Sequence, residues 1–162
     1  MARDKRFIAV HRGGFLEKET HHLLTRWAAD CAEHVLDLFT KVHPNDKRPE
    51  TAIEQARAWA RGEISVGVAR QAAFQAHAAA RESGSPVAEA VARAAGQAVS
   101  TPHMADHAPG AAYYATKAVR LSKGKEAAQT EHTWQHRQLP SEIAQLIDIA
   151  LVTKPALRKW IH

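Results

Sequence analysis

The sequence predicts an all-α fold, an antiparallel bundle of six or seven helices around an alanine-rich core, and three observations predict it. First, 23 alanines fall between Thr51 and Ala118, a density that favours helix and lets helix backbones approach one another closely. Second, apolar residues elsewhere recur at three and four positions, the helical period. Third, the alternation of Val, Ile, Thr and aromatics that marks strands is nearly absent, with one short candidate around Phe7 to Val10. A length of 162 residues suits a single domain over 1–162 that buries one core. Within it, 1–17 is expected to be irregular and 155–162 to form a tail.

Helix one is expected from Lys18 to Val42, because Leu24, Trp27, Cys31, Val35, Leu38 and Val42 share one face and Arg26, Asp30, Glu33, Asp37 and Lys41 the other. His43 to Pro49 is a loop, with Pro44 as the stop and Pro49 suited to the first turn of the next helix. Helix two runs from Pro49 to Arg61 and stops at Gly62. Helix three starts at Ser65 as N-cap and runs to Glu82, although Val68 stands where an acidic residue would complete a capping box. The turn Gly84-Ser85-Pro86 opens helix four, which runs toward Val99. Thr101-Pro102 then reads as a cap and first turn, giving helix five from Pro102 to Leu121 with a bend near Pro109-Gly110. Ser122 to Lys125 is a loop, and Glu126 to Gln138 a polar helix anchored by Trp134. Leu139-Pro140-Ser141 opens a last helix with Ile143, Leu146, Ile147, Ala150 and Leu151 on its apolar side, ended by Lys154-Pro155.

The composition bounds the function. Hydrophobic residues at 45% and charged residues at 24% give a globular balance, and no apolar run reaches the ~20 residues of a membrane helix. Cytoplasmic residence is the default expectation, and Cys31, the sole cysteine, reads as a buried thiol. The formal charge of +5 is spread along helices with acids close by, so a solvated surface is expected rather than a nucleic-acid site. Phosphate-binding glycine loops, the Gly-x-Ser-x-Gly elbow and Cys-x-x-Cys are all missing from the sequence.

Two groups of residues stand out. Asp46 and Arg48 flank the proline-bounded turn, and Arg57, Trp59, Arg61 and Glu63 crowd the far end of helix two. Trp and Arg are the residues most enriched at the energetic centres of interfaces, so these six form the expected partner-binding set. The other group is His77, His103, His107 and Tyr114. His103 and His107 stand four apart on the expected helix five, where their rings would share a face. With His77 they could ligate a metal ion, or with Tyr114 form a polar seam between helices. The seam is the preferred reading, and no metal or cofactor is expected.

Several stretches resemble a family of bacterial immunity proteins. They are Arg26-Trp27-Ala28-Ala29-Asp30-Cys31-Ala32-Glu33-His34-Val35-Leu36, then Asn45-Asp46-Lys47-Arg48-Pro49, and the run from Ala52 to Ser65 that contains Ala56-Arg57-Ala58-Trp59-Ala60-Arg61-Gly62-Glu63. They continue with Ala76 to Arg81, His103-Met104-Ala105-Asp106-His107 and Gln138-Leu139-Pro140, so that the likeness spans Gly13 to Leu151. The resemblance implies neutralisation of a cognate protein toxin in a polymorphic-toxin system by direct, non-catalytic binding. A basic chain argues against nucleic-acid mimicry and favours an acidic region on that toxin. The broad apolar faces of several helices also admit a homodimer. The alternative reading is a metal-dependent enzyme or metal-binding protein built on the histidines.

Overall fold

The computed structural model describes residues 2–162, which form eight α-helices and no strand. These are α1 (Lys18–His34), α2 (Asp37–Thr40), α3 (Arg48–Ala60), α4 (Val66–Glu82), α5 (Pro86–Ser100), α6 (Ala108–Lys123), α7 (Lys125–Arg137) and α8 (Ser141–Thr153). Short 3-10 turns lie at Lys5–Phe7, Val10–Arg12, Ala105–His107 and Pro155–Arg158. The strand candidate near Phe7 is therefore corrected: Ala9 and Leu16 make one isolated bridge, and Phe7 is a buried plug in a turn.

The alanine excess builds the centre. α5 buries Ala88, Ala90, Ala92, Ala94, Ala95 and Ala98 together with Val91 and Val99, and it packs against α1, α3, α4 and α6. A helix apolar on most of its circumference belongs in the interior, and past its first residues only the stripe of Glu89, Arg93, Gln97 and Ser100 reaches the surface. Its N-terminus follows the local chemistry, with the Ser85 hydroxyl accepting from the Ala88 N–H at 3.3 Å and proline in the first turn. Ser65 caps α4 in the same way, accepting from the Val68 N–H at 3.2 Å. α3 ends because Gly62 adopts φ +76°, where a side chain is strained.

Close approach is most demanding at Gly96 in α5. A Cβ there would lie 2.5 Å from Cε1 of His77, whose ring is held by Arg93 Nη1 donating to Nδ1 at 3.0 Å. Gly96→Val is expected to lower stability by about 1–3 kcal/mol through overpacking, measured by urea unfolding. Unchanged stability would mean that the His77 ring can swing away freely.

Two expected boundaries differ. Helix one ends at His34, where Val35 takes φ −112° and ψ 3°. The chain then re-aims through α2, so that Phe39 rather than Val42 becomes the buried end, and Val42 is half exposed. Helix five begins at Ala108, not Pro102: residues from Thr101 to Met104 form a turn, and Pro109 sits in the first turn of α6 instead of bending its middle. A proline without an N–H costs nothing there, so it sets the helix start. Helix α7 is held by the buried Ala128, Glu131 and Gln135 as well as by the partly exposed Trp134, which stacks on His34 of α1. The tail folds back, with Gln129 Nε2 donating to the Ile161 carbonyl at 3.2 Å and Lys117 Nζ 5.4 Å from the Trp160 ring centroid.

Candidate functional site

The outer sides of α1 and α3 carry the most organised polar face. Asp30 and Glu33 stand on one side of α1, three residues apart, and Arg57 projects from the neighbouring α3 toward both. Arg57 Nη2 donates to Asp30 Oδ1 at 2.7 Å, and Nη1 donates to Glu33 Oε2. Burial works against the Arg57 charge, but the hydrogen bonds to Glu33 and Asp30 outweigh it and raise its pKa above the ordinary guanidinium value. Each donor is thereby committed to a defined direction, which holds the guanidinium as a fixed plate across the helix pair.

Beside it the end of α1 meets α7. The His34 ring stacks on Trp134 with centroids 3.5 Å apart and planes 5° from parallel. His34 Nδ1 lies 2.8 Å from Glu131 Oε2, so the imidazole N–H donates to a carboxylate that is only 6% exposed. Asp30, Glu33, His34, Asp37, Trp134 and Gln138 line an open groove of about 530 Å³. This arrangement pins aromatic and charged side chains to rigid helices. It can offer a preformed contact surface with an aromatic centre and a charged rim.

The structure distributes the six expected partner-binding residues rather than gathering them. Arg48 pairs with Asp46 at 2.8 Å and with Glu82 at 2.7 Å, at the junction of α3 with the end of α4. The Arg48 hydrogen bond holds the Asp46 carboxyl below its usual range. Arg61 pairs with Glu63 at 2.8 Å just past the end of α3, and that contact lowers the Glu63 pKa. Trp59 is two residues from Arg57, about 200° round the helix, and its ring sits 4.8 Å from His21 and 5.0 Å from His22. Each of the three arginines is thus matched by carboxylates of its own chain. Asp30, Glu33, His34 and Trp134 were not among the expected residues. Asp30 and Glu33 were legible as the polar side of helix one, but their pairing with Arg57 spans a tertiary contact.

The histidines also differ from the expected arrangement. His107 closes a 3-10 turn and His103 lies in the turn before it, so they do not share a helical face. His107 Nδ1 is 2.8 Å from Gln97 Oε1 and donates to it, and His77 accepts from Arg93. Burial lowers the pKa of His107, and burial with Arg93 nearby pushes His77 down to about 4. Tyr114 makes its aromatic contact with Tyr113 at 5.0 Å. Among the described residues, no three His, Cys, Asp or Glu side chains are grouped to hold a metal ion. No helix of the described residues is long and apolar enough to cross a membrane.

These features define an all-α helical bundle whose charged, aromatic-centred face is fixed by tertiary pairing. Residues 14–142 match the Imm-5 like putative immunity protein family, and the chain belongs to that family. No curated protein and no solved structure matches it.

Proposed function

We propose that this chain is a non-catalytic immunity protein that binds a cognate protein toxin and blocks it by occupying its working surface. Membership of the immunity family over residues 14–142 carries this reading. The contact face we assign is the α1–α3–α7 surface, with Arg57 and the His34–Trp134 stack at its centre and Asp30, Glu33 and Asp37 around them. Arg48 with Asp46, and Arg61 with Glu63, lie on the rim at the two ends of α3, where exposed pairs tune encounter more than affinity. Trp59 faces away from Arg57 and is not part of this contact. Asp30, Glu33 and Asp37 outnumber Arg57 and Lys41, the latter 3.5 Å from Asp37, so the complementary toxin surface in this reading is basic rather than the acidic one expected from net charge.

Replacing Arg57 by glutamate tests the assignment. Arg57→Glu would set a third carboxylate against Asp30 and Glu33 and remove the fixed guanidinium. Neutralisation in cells should fail and binding should weaken at least about 100-fold, roughly 2.7 kcal/mol, while the helical circular dichroism stays intact. An unchanged affinity for the toxin would move the contact elsewhere on the molecule.

A further inference from the structure

A separate cleft lies where the N-terminal 3-10 turns cross the start of α1, the end of α3 and the turn between α5 and α6. Its volume is about 160 Å³, close to the roughly 150 Å³ of an apolar cavity able to hold benzene. Phe7, Ile8, Val66, Pro102 and the Trp59 ring supply apolar walls, and Arg3, His11, Arg12 and His103 supply the polar ones. None of the twelve lining residues carries a carboxylate.

The two guanidiniums are positioned but not exhausted. Arg12 Nη1 donates to the His103 carbonyl at 3.1 Å, and among the described residues Arg12 has no carboxylate partner. Arg3 Nη2 donates to Asp106 Oδ1 at 3.1 Å. A guanidinium has five N–H donors, so each keeps several for a ligand. Deeper in, His21 is buried and its Nε2–H donates to the Thr101 carbonyl at 2.7 Å, which fixes the ring against Trp59. The positive character extends beyond the lining: burial lowers the pKa of His103, and Arg70, Arg12 and Arg3 lower it further.

We propose that this cleft binds a compact carboxylate with an apolar body about the size of one ring, its carboxylate on Arg12 and Arg3 and its body against Trp59 and Val66. Two sources share that chemistry, a free small carboxylic acid and the C-terminal residue of a polypeptide. The site lies apart from the Arg57 face and does not depend on the toxin-binding proposal.

Titration of the full-length protein followed by NMR tests it, reading the Trp59 indole N–H and the His103 ring. Benzoate should shift both saturably. Benzamide, the uncharged analogue, and inorganic phosphate, which has no apolar body, should each bind at least about tenfold more weakly. Arg12→Gln should cost benzoate at least about tenfold in affinity with the helical spectrum unchanged, and Trp59→Leu should weaken it independently. A short peptide ending in phenylalanine with a free carboxylate identifies a chain end as the occupant if it binds more tightly than benzoate and its amidated form does not. Benzoate binding without peptide binding identifies a free acid. The proposal is overturned if neither probe gives a saturable shift below about 10 mM, if benzamide or phosphate binds as well as benzoate, or if Arg12→Gln has no effect.

Discussion

Acidification from about pH 7 to about pH 4.5 is expected to destabilise the fold by on the order of 2–4 kcal/mol in total, allowing for solvent screening, or roughly 5–15 °C in Tm. The cause is a set of imidazoles that the fold keeps neutral. Burial, helped by Arg93 and His107, pushes His77 down to about 4, and burial with His136 and His162 nearby does the same to His132. Burial also lowers His21, His22, His103 and His107. In the unfolded chain a histidine titrates near about 6.5. Between there and the lower folded values the unfolded state binds more protons, so stability present above the unfolded pKa is lost as pH falls through that window. Asp4 and Asp46, whose pKa values are lowered by Arg6 and Arg48, act only in the more acidic carboxylate range. His77→Gln keeps an acceptor for Arg93 and removes the proton site, so its Tm should fall less steeply between about pH 6.5 and pH 4.5. An identical slope in the variant would show that His77 does not carry its share.

Trp27→Ala is expected to cost about 3–5 kcal/mol in urea unfolding. Trp27 is 2% exposed in α1, and its Nε1–H donates to the Gln135 carbonyl of α7 at 2.9 Å. α7 has little apolar surface to hold it. Beside the His34 contacts with Glu131 and Trp134, it is fastened by the Gln135 side chain, which donates to the Ala112 carbonyl at 3.1 Å and accepts from the Thr116 hydroxyl at 3.3 Å. Removing the indole leaves a cavity and strips the Gln135 carbonyl of its donor from α1, leaving it only the Gln138 N–H at the end of its own helix at 3.2 Å. Amide hydrogen exchange in α7 should therefore accelerate before that in α5. Trp27→Phe should be milder, because the ring is retained and only the hydrogen bond and part of the volume go. Protection of α7 that survives in Trp27→Ala would place its anchor elsewhere.

The helix starts at Ser65 and at Ser85-Pro86 and the stop at Gly62 were legible because each is decided by a side chain or a φ angle within a few residues. The break after His34 was not: the apolar period continues unbroken through Val42, and only the burial of Phe39 beneath α5 selects a new direction. Pro102 and Pro109 each satisfied the rule for a first turn, and sequence spacing alone does not say which one starts the helix. That choice removed the shared face of His103 and His107. The candidate face divides in the same way. Arg61 with Glu63 was readable as a local pair, whereas Arg48 with Glu82 and Arg57 with Asp30 and Glu33 join residues from different helices. The separation of Trp59 from Arg57 follows from helix geometry, since residues two apart point to opposite sides.

If this immunity-family chain disarms a protein toxin by holding it, as proposed, the two chains must persist together unaltered. Co-expression with the protein encoded beside it, followed by mass spectrometry of the intact assembly, is the decisive measurement. Restored growth is expected together with a stable stoichiometric complex of two chemically unmodified chains, both lost with Arg57→Glu. Continued toxicity, or rescue in which the toxin is cleaved or modified and no complex persists, would contradict it.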